Sequence, residues 1–333
     1  MRLLIVTQSV DSEDSILGFF VRWIAEFAKH AEHIEIICLK SGRFDFPENV
    51  RVHSLGKEQD AARNTTMYRS VSRRVRYALR FLSLIWKLRR EYDAVFVHMN
   101  PEYVILGGLF WGTWGKRIAL WYTHKSVDLK LRIAEMLVHT VFTASKESFR
   151  LRSAKLHVMG HGIDTDFFSP DMHVARTTAA LSLGRLSPTK RNDLIIRAAV
   201  EFPNDLWIAG EGPERQKLER LARELSIAPR VQFLGARTQE GARDAYRTAG
   251  VFAHASETGS LDKVVLEALA CGLPVVTTAA TLADLPVTVV PPTPQAIAEG
   301  VRTAGHADGE QLAAFVREHH SLQKLVPAIL SLI

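Results

Sequence analysis

Long apolar runs are missing from this chain of 333 residues. Nowhere are there the roughly 18 consecutive apolar residues that a membrane-crossing helix needs. Residues 1–7 run straight into polar sequence without a cleavage pattern, so neither a span nor a secretory leader is expected. Cysteine is almost absent: Cys38 and Cys271 stand in different halves and in apolar settings. They read as reduced core residues of a cytoplasmic protein, not as a disulfide or a metal site. No cluster of His, Cys and carboxylates has ligand spacing, and there is no repeat or low-complexity tract. What remains is an ordinary globular composition, 47% hydrophobic and 23% charged. Its length suits two α/β domains of about 150 residues each better than one.

The charge is one-sided. Residues 1–170 hold 25 Lys and Arg against 18 Asp and Glu, whereas residues 171–333 hold 17 against 18. An excess of cations confined to one half points to an anionic partner there: a membrane surface, a lipid phosphate or nucleic acid. The densest stretch, residues 63–90, has no acid and carries Arg63, Arg69, Arg73, Arg74, Arg76, Arg80, Lys87, Arg89 and Arg90. Met67, Tyr68, Tyr77, Phe81, Leu82, Ile85 and Trp86 lie between them. A basic helix with interleaved aromatics suits anionic lipid headgroups, and Arg73, Arg74, Arg76 and Arg80 are the candidates for membrane or acceptor contact. The plainer alternative is a solvated helix packing an apolar stripe on a sheet. No recognised nucleic-acid motif accompanies the stretch, so no nucleic-acid partner is expected.

Short apolar runs alternate with amphipathic stretches, the pattern of parallel sheets covered on both faces. The first half predicts strands at Leu3–Val6, Ile34–Leu39, Val50–Ser54, Ala94–His98, Arg117–Leu120, Val141–Thr143 and Leu156–Met159, with helices over 15–30, 66–91, 101–111, 128–138 and 145–152. The pattern then restarts, with strands at Ala180–Gly184, Leu206–Ala209, Val231–Leu234, Val251–His254 and Pro274–Thr277. Helices are predicted over 190–201, 213–226, 238–248, 261–270 and 294–303, and two more over 309–332. A turn-rich linker, from Gly160-His161-Gly162 to Ser169-Pro170-Asp171, separates the halves. The expected division is 1–170, 171–310 and a helical tail 311–333. In doubly wound folds ligands bind beyond the carboxyl ends of the strands, so the site is expected in a cleft between the domains.

Four segments of the second half carry the chemistry. Gly184-Arg185-Leu186-Ser187-Pro188-Thr189-Lys190 puts two cations at a strand end, where they could clamp a diphosphate or stand solvated in a surface loop. Gly210-Glu211-Gly212-Pro213-Glu214 permits close backbone approach, though an ordinary strand-to-helix turn would do the same. Phe233-Leu234-Gly235-Ala236-Arg237 ends a third strand at the same edge. Finally Gly259-Ser260-Leu261-Asp262-Lys263 opens a helix whose first-turn amides suit phosphate. Glu267 lies inside that helix on an apolar face, where its carboxylate needs a partner such as a sugar hydroxyl.

These segments, in this order, and the run Val265-Leu266-Glu267-Ala268-Leu269-Ala270-Cys271-Gly272-Leu273-Pro274-Val275-Val276 strongly resemble glycosyltransferase family 4. Thr143-Ala144-Ser145, the linker His161-Gly162-Ile163-Asp164, the strand end Trp121-Tyr122-Thr123-His124 and Gly18 before the first helix are similar to the family's pattern in the first half. The resemblance implies the GT-B fold: two doubly wound Rossmann-like domains facing across a cleft, with C-terminal helices returning to the N-terminal domain. It implies a retaining transfer of a hexose-type sugar from a nucleotide diphosphate donor, a UDP-sugar by family frequency, to a hydroxyl acceptor. No metal or cofactor is expected. By the same resemblance Arg185 and Lys190 neutralise the donor diphosphate and Glu267 holds its ribose. Backbone near Arg237 faces the base, His124 contacts the transferred sugar, and Gly18 and residues Gly259, Ser260, Leu261, Asp262 and Lys263 border the donor. Related enzymes act on lipid-linked acceptors of cell-surface polysaccharide, which implies a cytoplasmic protein, peripheral on the inner membrane face.

The chain departs from the family in places. Gly259 stands where the family has the first carboxylate of its Glu pair, and Asp262 and Lys263 are added polar groups. His161 replaces the linker Asn, and Thr278–Pro292 is shorter than the usual loop. The missing carboxylate keeps open a non-catalytic nucleotide-sugar-binding protein at the membrane, and a nucleotide-sugar epimerase of the same fold is the other alternative. Asp164-Thr165-Asp166 has the form of a metal motif but sits in the linker, where chance is the better explanation. His98-Met99-Asn100-Pro101 is a candidate for acceptor contact or a helix start. Residues 8–18, with Asp11, Glu13 and Asp14, either cover the acceptor site or form a mobile acidic loop.

Overall fold

The computed structural model describes residues 1–14, 16–61, 68–304 and 307–333, and of 60, 61 and 68–71 the backbone alone. Arg63 and Met67 of the basic stretch, and the side chains of Tyr68 and Arg69, lie outside the described residues. The chain divides into two compact units, Met1–Gly162 with Leu322–Ile333, and Ile163–Ser321. The boundaries suggested by the sequence were near 170 and 310.

Unit 1 runs β1 (Arg2–Val10), α1 (Phe19–His30), β2 (His33–Ser41), β3 (Val50–Ser54), α2 (Lys57–Ala61), α3 (Tyr68–Lys87), β4 (Ala94–His98), α4 (Pro101–Thr113), β5 (Arg117–Trp121), α5 (Leu129–Leu137), β6 (Thr140–Thr143) and β7 (Leu156–Val158). Its sheet has the order β3-β2-β1-β4-β5-β6-β7, parallel throughout. Residues Leu3 to Val6 are all fully buried because both faces of β1 are covered. Leu3 and Ile5 pack on the α1 side, Leu4 and Val6 on the side of α3, α4 and α5.

Unit 2 runs β8 (Ala180–Leu183), α6 (Asn192–Ala198), β9 (Leu206–Ala209), α7 (Arg215–Glu224), β10 (Val231–Gly235), α8 (Gln239–Thr248), β11 (Val251–His254), α9 (Lys263–Ala270), β12 (Val275–Thr277), β13 (Thr288–Val289), α10 (Pro294–Thr303) and α11 (Gly309–His319). Its sheet has the order β10-β9-β8-β11-β12-β13, again parallel. One core holds residues of α6, α7 and α10, the other those of α8, α9 and α11. The last helix, α12 (Leu322–Ser331), returns to unit 1. Leu322, Leu325, Val326 and Ile329 fall on one helical face and pack in the α1 core, while α11 stays with unit 2 through Leu312 and Val316.

Every strand predicted from the apolar runs is present. The differences occur where side-chain pattern carries little information. β13 is two exposed residues paired to β12 by backbone alone, so no apolar run announces it. The helix predicted over 145–152 is a single 3-10 turn, Lys146–Ser148, because Phe149 takes extended backbone and buries its ring in the core. The helix expected from 190 begins at Asn192, after a 3-10 turn Pro188–Lys190 and a left-handed Arg191. Among the described residues no helix is long and apolar enough to cross a membrane. Burial pushes the Cys38 and Cys271 thiols up to about 12, as expected of inert core residues.

Candidate functional site

Three strands of unit 2 end in glycine turns that are sewn to one another by backbone. Gly184 N donates to the Ala209 carbonyl at 3.0 Å, and Gly210 N donates to the Gly235 carbonyl at 2.8 Å. Leu186 N donates to Glu211 O and Glu214 N to Leu186 O, which closes the next layer. The approach admits no side chain: a Cβ on Gly210 would stand 1.9 Å from the Gly184 oxygen, and one on Gly212 would stand 2.2 Å from the Leu186 oxygen. Gly210 also has φ +137, which disfavours any L residue. The sequence signal was an ordinary Gly-x-Gly. Only the close packing of neighbouring strand ends makes glycine obligatory.

Arg185 leaves this ladder exposed, and among the described residues its side chain has no protein partner. Arg237, after β10, is likewise exposed. Lys190 is different. Its Nζ lies 2.7 Å from Asp262 Oδ2 and 3.4 Å from Ser256 Oγ, so it is a paired cation and not an open one. His254 at the end of β11 contacts the same oxygen through Nε2 at 2.8 Å, and its Nδ1 meets Thr277 Oγ1 at 2.9 Å. Burial alone would raise the Asp262 pKa, yet His254 and the Lys190 ammonium hold that carboxyl far below the usual carboxylate range. Arg191 pairs with Asp193 and Glu257, and Glu257 N donates to Thr189 O at 2.9 Å, tying the two loops together.

Asp262 is the N-cap of α9, but its side chain makes no capping bond to its own helix. Val265 N donates to the Asp262 carbonyl at 3.1 Å, and no first-turn amide of α9 is served by that carboxylate. Ahead of it Gly259 takes a left-handed φ of +57, Ser260 Oγ reaches Thr258 Oγ1 at 3.5 Å, and Leu261 packs on the core. Within α9 Glu267 is buried, and it finds partners inside the unit: Lys263 Nζ on Oε1 and the Tyr246 hydroxyl on Oε2 at 3.2 Å. Lys263 is four residues before Glu267, the spacing at which helix side chains meet. Thus the carboxylate that seemed to require a sugar hydroxyl already has protein partners. His254, Tyr246 and Thr277 were not singled out from the sequence. An apolar strand and a helix face gave no hint that their polar atoms converge.

In unit 1, Gly18 is the N-cap of α1, and a Cβ there would stand 2.5 Å from the Asp14 carbonyl. Asp14 Oδ1 accepts from Ile16 N and Leu17 N, and Oδ2 from Ser9 Oγ and Lys40 Nζ. Against the cost of burial these bonds bring its carboxyl down to about 2. Residues 11–14 and 16–18 are therefore a hydrogen-bonded turn and not a loose acidic loop. His98 is a core residue: its ring stacks on Phe20 at 3.8 Å, Nδ1 meets Thr7 Oγ1, and burial brings it down to about 3. It is not at the surface for an acceptor, and Pro101 after it opens α4. His124, after β5, is exposed, its ring 5.8 Å from that of Tyr122. Asp164 Oδ1 accepts from Phe167 N, a turn bond in the linker.

On α3, Phe81 and Ile85 face the core while Val75, Leu79 and Trp86 are exposed. Those three are four and seven residues apart and share one side of the helix. Arg74, Arg76 and Arg80 are exposed beside them and Arg73 is half-buried. Arg89 lies 4.5 Å over the Trp86 ring.

Comparison with known proteins adds a family to this geometry. Residues 173–306 match the family described as glycosyl transferases group 1. A D-inositol 3-phosphate glycosyltransferase of Mycobacteroides abscessus is 37% identical over 151 residues, 41% of this chain and 34% of the relative. The chain therefore matches only about a third of that relative's length. Among solved structures, HepE of Anabaena in complex with UDP and glucose aligns over 99% of this chain and 98% of its own, with TM-score 0.74 and 17% identity. Sucrose-phosphate synthase from Thermosynechococcus elongatus aligns over 100% and 98%, with TM-score 0.77 and 15% identity. Such identities speak for the fold. Residues 173–306, less than half of the chain, are thus similar to the glycosyl transferases group 1, and the whole chain has the GT-B fold of these solved structures.

Proposed function

We propose that this chain transfers a sugar, with retention and without a metal, from a nucleotide diphosphate sugar to a hydroxyl acceptor. A UDP-sugar is the favoured donor. The observation that carries the reading is the carboxyl edge of unit 2: backbone-sewn glycine turns, an unpaired Arg185, and the uncapped start of α9. A diphosphate leaving group develops negative charge, which a guanidinium and helix-start amides stabilise electrostatically. The second cation, Lys190, has ammonium protons on Asp262 Oδ2 and Ser256 Oγ and a third to offer. Glu267, braced by Tyr246 and Lys263, is the acceptor proposed for ribose hydroxyls. His124 in unit 1 is the residue proposed near the transferred sugar. HepE was solved with UDP and glucose, which favours uridine here.

The test is thermal stabilisation by UDP-, GDP-, ADP- and dTDP-sugars, with and without a chelator. A donor at 100 times its Kd adds about 2.7 kcal/mol of stability. Arg185→Ala should lower kcat/KM for that donor about 100-fold, as the loss of one charge-stabilising donor does, with an unchanged melting temperature. No stabilisation by any donor would end the proposal. Donor binding without turnover over a broad acceptor panel would favour the non-catalytic alternative, which Gly259 in place of a carboxylate keeps in view.

The outward stripe of Val75, Leu79 and Trp86, flanked by arginines, supports a peripheral place on an anionic membrane and a lipid-linked acceptor. Vesicles containing phosphatidylglycerol should bind the protein at low salt. Changing Arg73, Arg74, Arg76 and Arg80 to Gln should weaken that binding by up to about 1 kcal/mol per residue. Equal binding to neutral vesicles would count against it.

A further inference from the structure

We infer that Asp262 is a specificity-determining residue that accepts a hydrogen bond from a hydroxyl of the sugar carried by the donor, an inference that rests on the donor reading above. The argument is an inventory of its two oxygens. Oδ2 is filled by Lys190 Nζ at 2.7 Å and His254 Nε2 at 2.8 Å, with Thr258 Oγ1 at 3.4 Å. Oδ1 has, among the described residues, only the marginal Thr258 Oγ1 contact at 3.5 Å. A carboxylate oxygen accepts two hydrogen bonds, so Oδ1 keeps open capacity, and its side chain remains 15% accessible.

The carboxylate is also held in place. The Asp262 carboxylate only accepts, so His254 donates from Nε2, and in the neutral ring Nδ1 then accepts from the Thr277 hydroxyl, whose oxygen accepts from the Ala279 amide at 3.1 Å. Asp is a favoured N-cap because its side chain serves the first amides of its own helix, and Asp262 forgoes that bond. The result is a bipolar pair. Lys190 presents a spare ammonium proton that suits phosphate, and beside it Oδ1 presents lone pairs that suit only a donor. A free nucleotide diphosphate uses the first alone. A sugar diphosphate, with hydroxyls next to phosphate, uses both.

The competing explanation is that Asp262 merely positions Lys190. Titrations of the protein with UDP, UDP-glucose, GDP, GDP-mannose, ADP and ADP-glucose separate the two. For the pair that the wild type binds, Asp262→Asn should leave free nucleotide affinity within about twofold, or tighten it. Affinity for the nucleotide sugar should fall about tenfold, the size of one hydrogen bond to a charged group. Equal loss on both ligands would overturn the inference and leave Asp262 a holder of Lys190. His254→Gln, which keeps the carboxylate but removes its ring support, should shift the same ratio in the same direction by less. Donors lacking one sugar hydroxyl give an independent readout. The wild type should discriminate against one of them about tenfold and the Asp262→Asn protein should not, because the two losses remove the same bond. Discrimination that persists in the variant would overturn the assignment. A wild type that binds none of the nucleotides would remove the donor reading and this inference with it.

Discussion

The two units wind their sheets in the same order, yet they finish their strand ends differently. In unit 2 the turns after β8, β9 and β10 hold each other through backbone hydrogen bonds, with glycine in the Gly184–Ala209 and Gly210–Gly235 contacts. In unit 1 the corresponding edge is filled by side chains: Asp14 on the turn before α1, and His98 against Phe20 and Thr7. Backbone stitching keeps strand ends thin, so a ligand can approach main-chain atoms, and it leaves Arg185 exposed. Side-chain filling gives a denser edge whose stability depends on ionisation. A strand order shared over six strands therefore does not decide how the carboxyl edge is built.

The strongest way to break this contrast is Gly210→Ala. The added carbon would meet the Gly184 oxygen at 1.9 Å and would have to accept φ +137. A loss of about 3 kcal/mol or more is expected from overpacking and backbone strain together. Hydrogen exchange should show the amides of unit 2 losing protection while those of unit 1 keep it. Retained protection throughout would mean that the turns tolerate separation and that the stitching is incidental.

A second experiment sharpens the contrast through pH. His98 titrates near 3 when folded, below its usual value, so the unfolded chain binds more protons as pH drops below about 6.5. Its contribution is whole above that pH and is lost on the way down to about 3, by at most ~1.4 kcal/mol per pH unit. Urea midpoints of His98→Phe should lose that slope. Asp14, lowered to about 2, acts in a separate window, with stability present above about 4 and lost towards 2. Asp14→Asn should flatten that acid limb alone.

The smallest effect is expected within α9. Tyr246→Phe removes one hydrogen bond from the buried Glu267 but leaves Lys263 in place, so about 1 kcal/mol should be lost. A much larger loss, measured by denaturant unfolding, would show that Lys263 alone cannot hold the carboxylate.

Much of this molecule was legible as pattern. Apolar runs such as Leu3–Val6 and Val251–His254 gave the strands, because a parallel strand buried on both faces must be apolar throughout. The order of glycine, basic and acidic segments marked the candidate site, since turns of those residue types suit a phosphate. Pattern failed where structure depends on pairing at a distance. Lys190 and Asp262 are 72 positions apart, and His254 looked like one more residue of a buried strand. Nothing local announces that Lys190 meets a carboxylate or that Glu267 is already partnered by Tyr246.

By itself, then, the sequence determined most of the secondary structure, the two parallel sheets and the edge where the candidate site lies, because these follow from periodicity and local backbone preference. The tertiary structure alone decided which charges are paired and which remain open, Arg185 against Lys190 and Oδ1 against Oδ2 of Asp262. It did so because pairing depends on distances of a few ångströms between segments that only the folded sheet brings together.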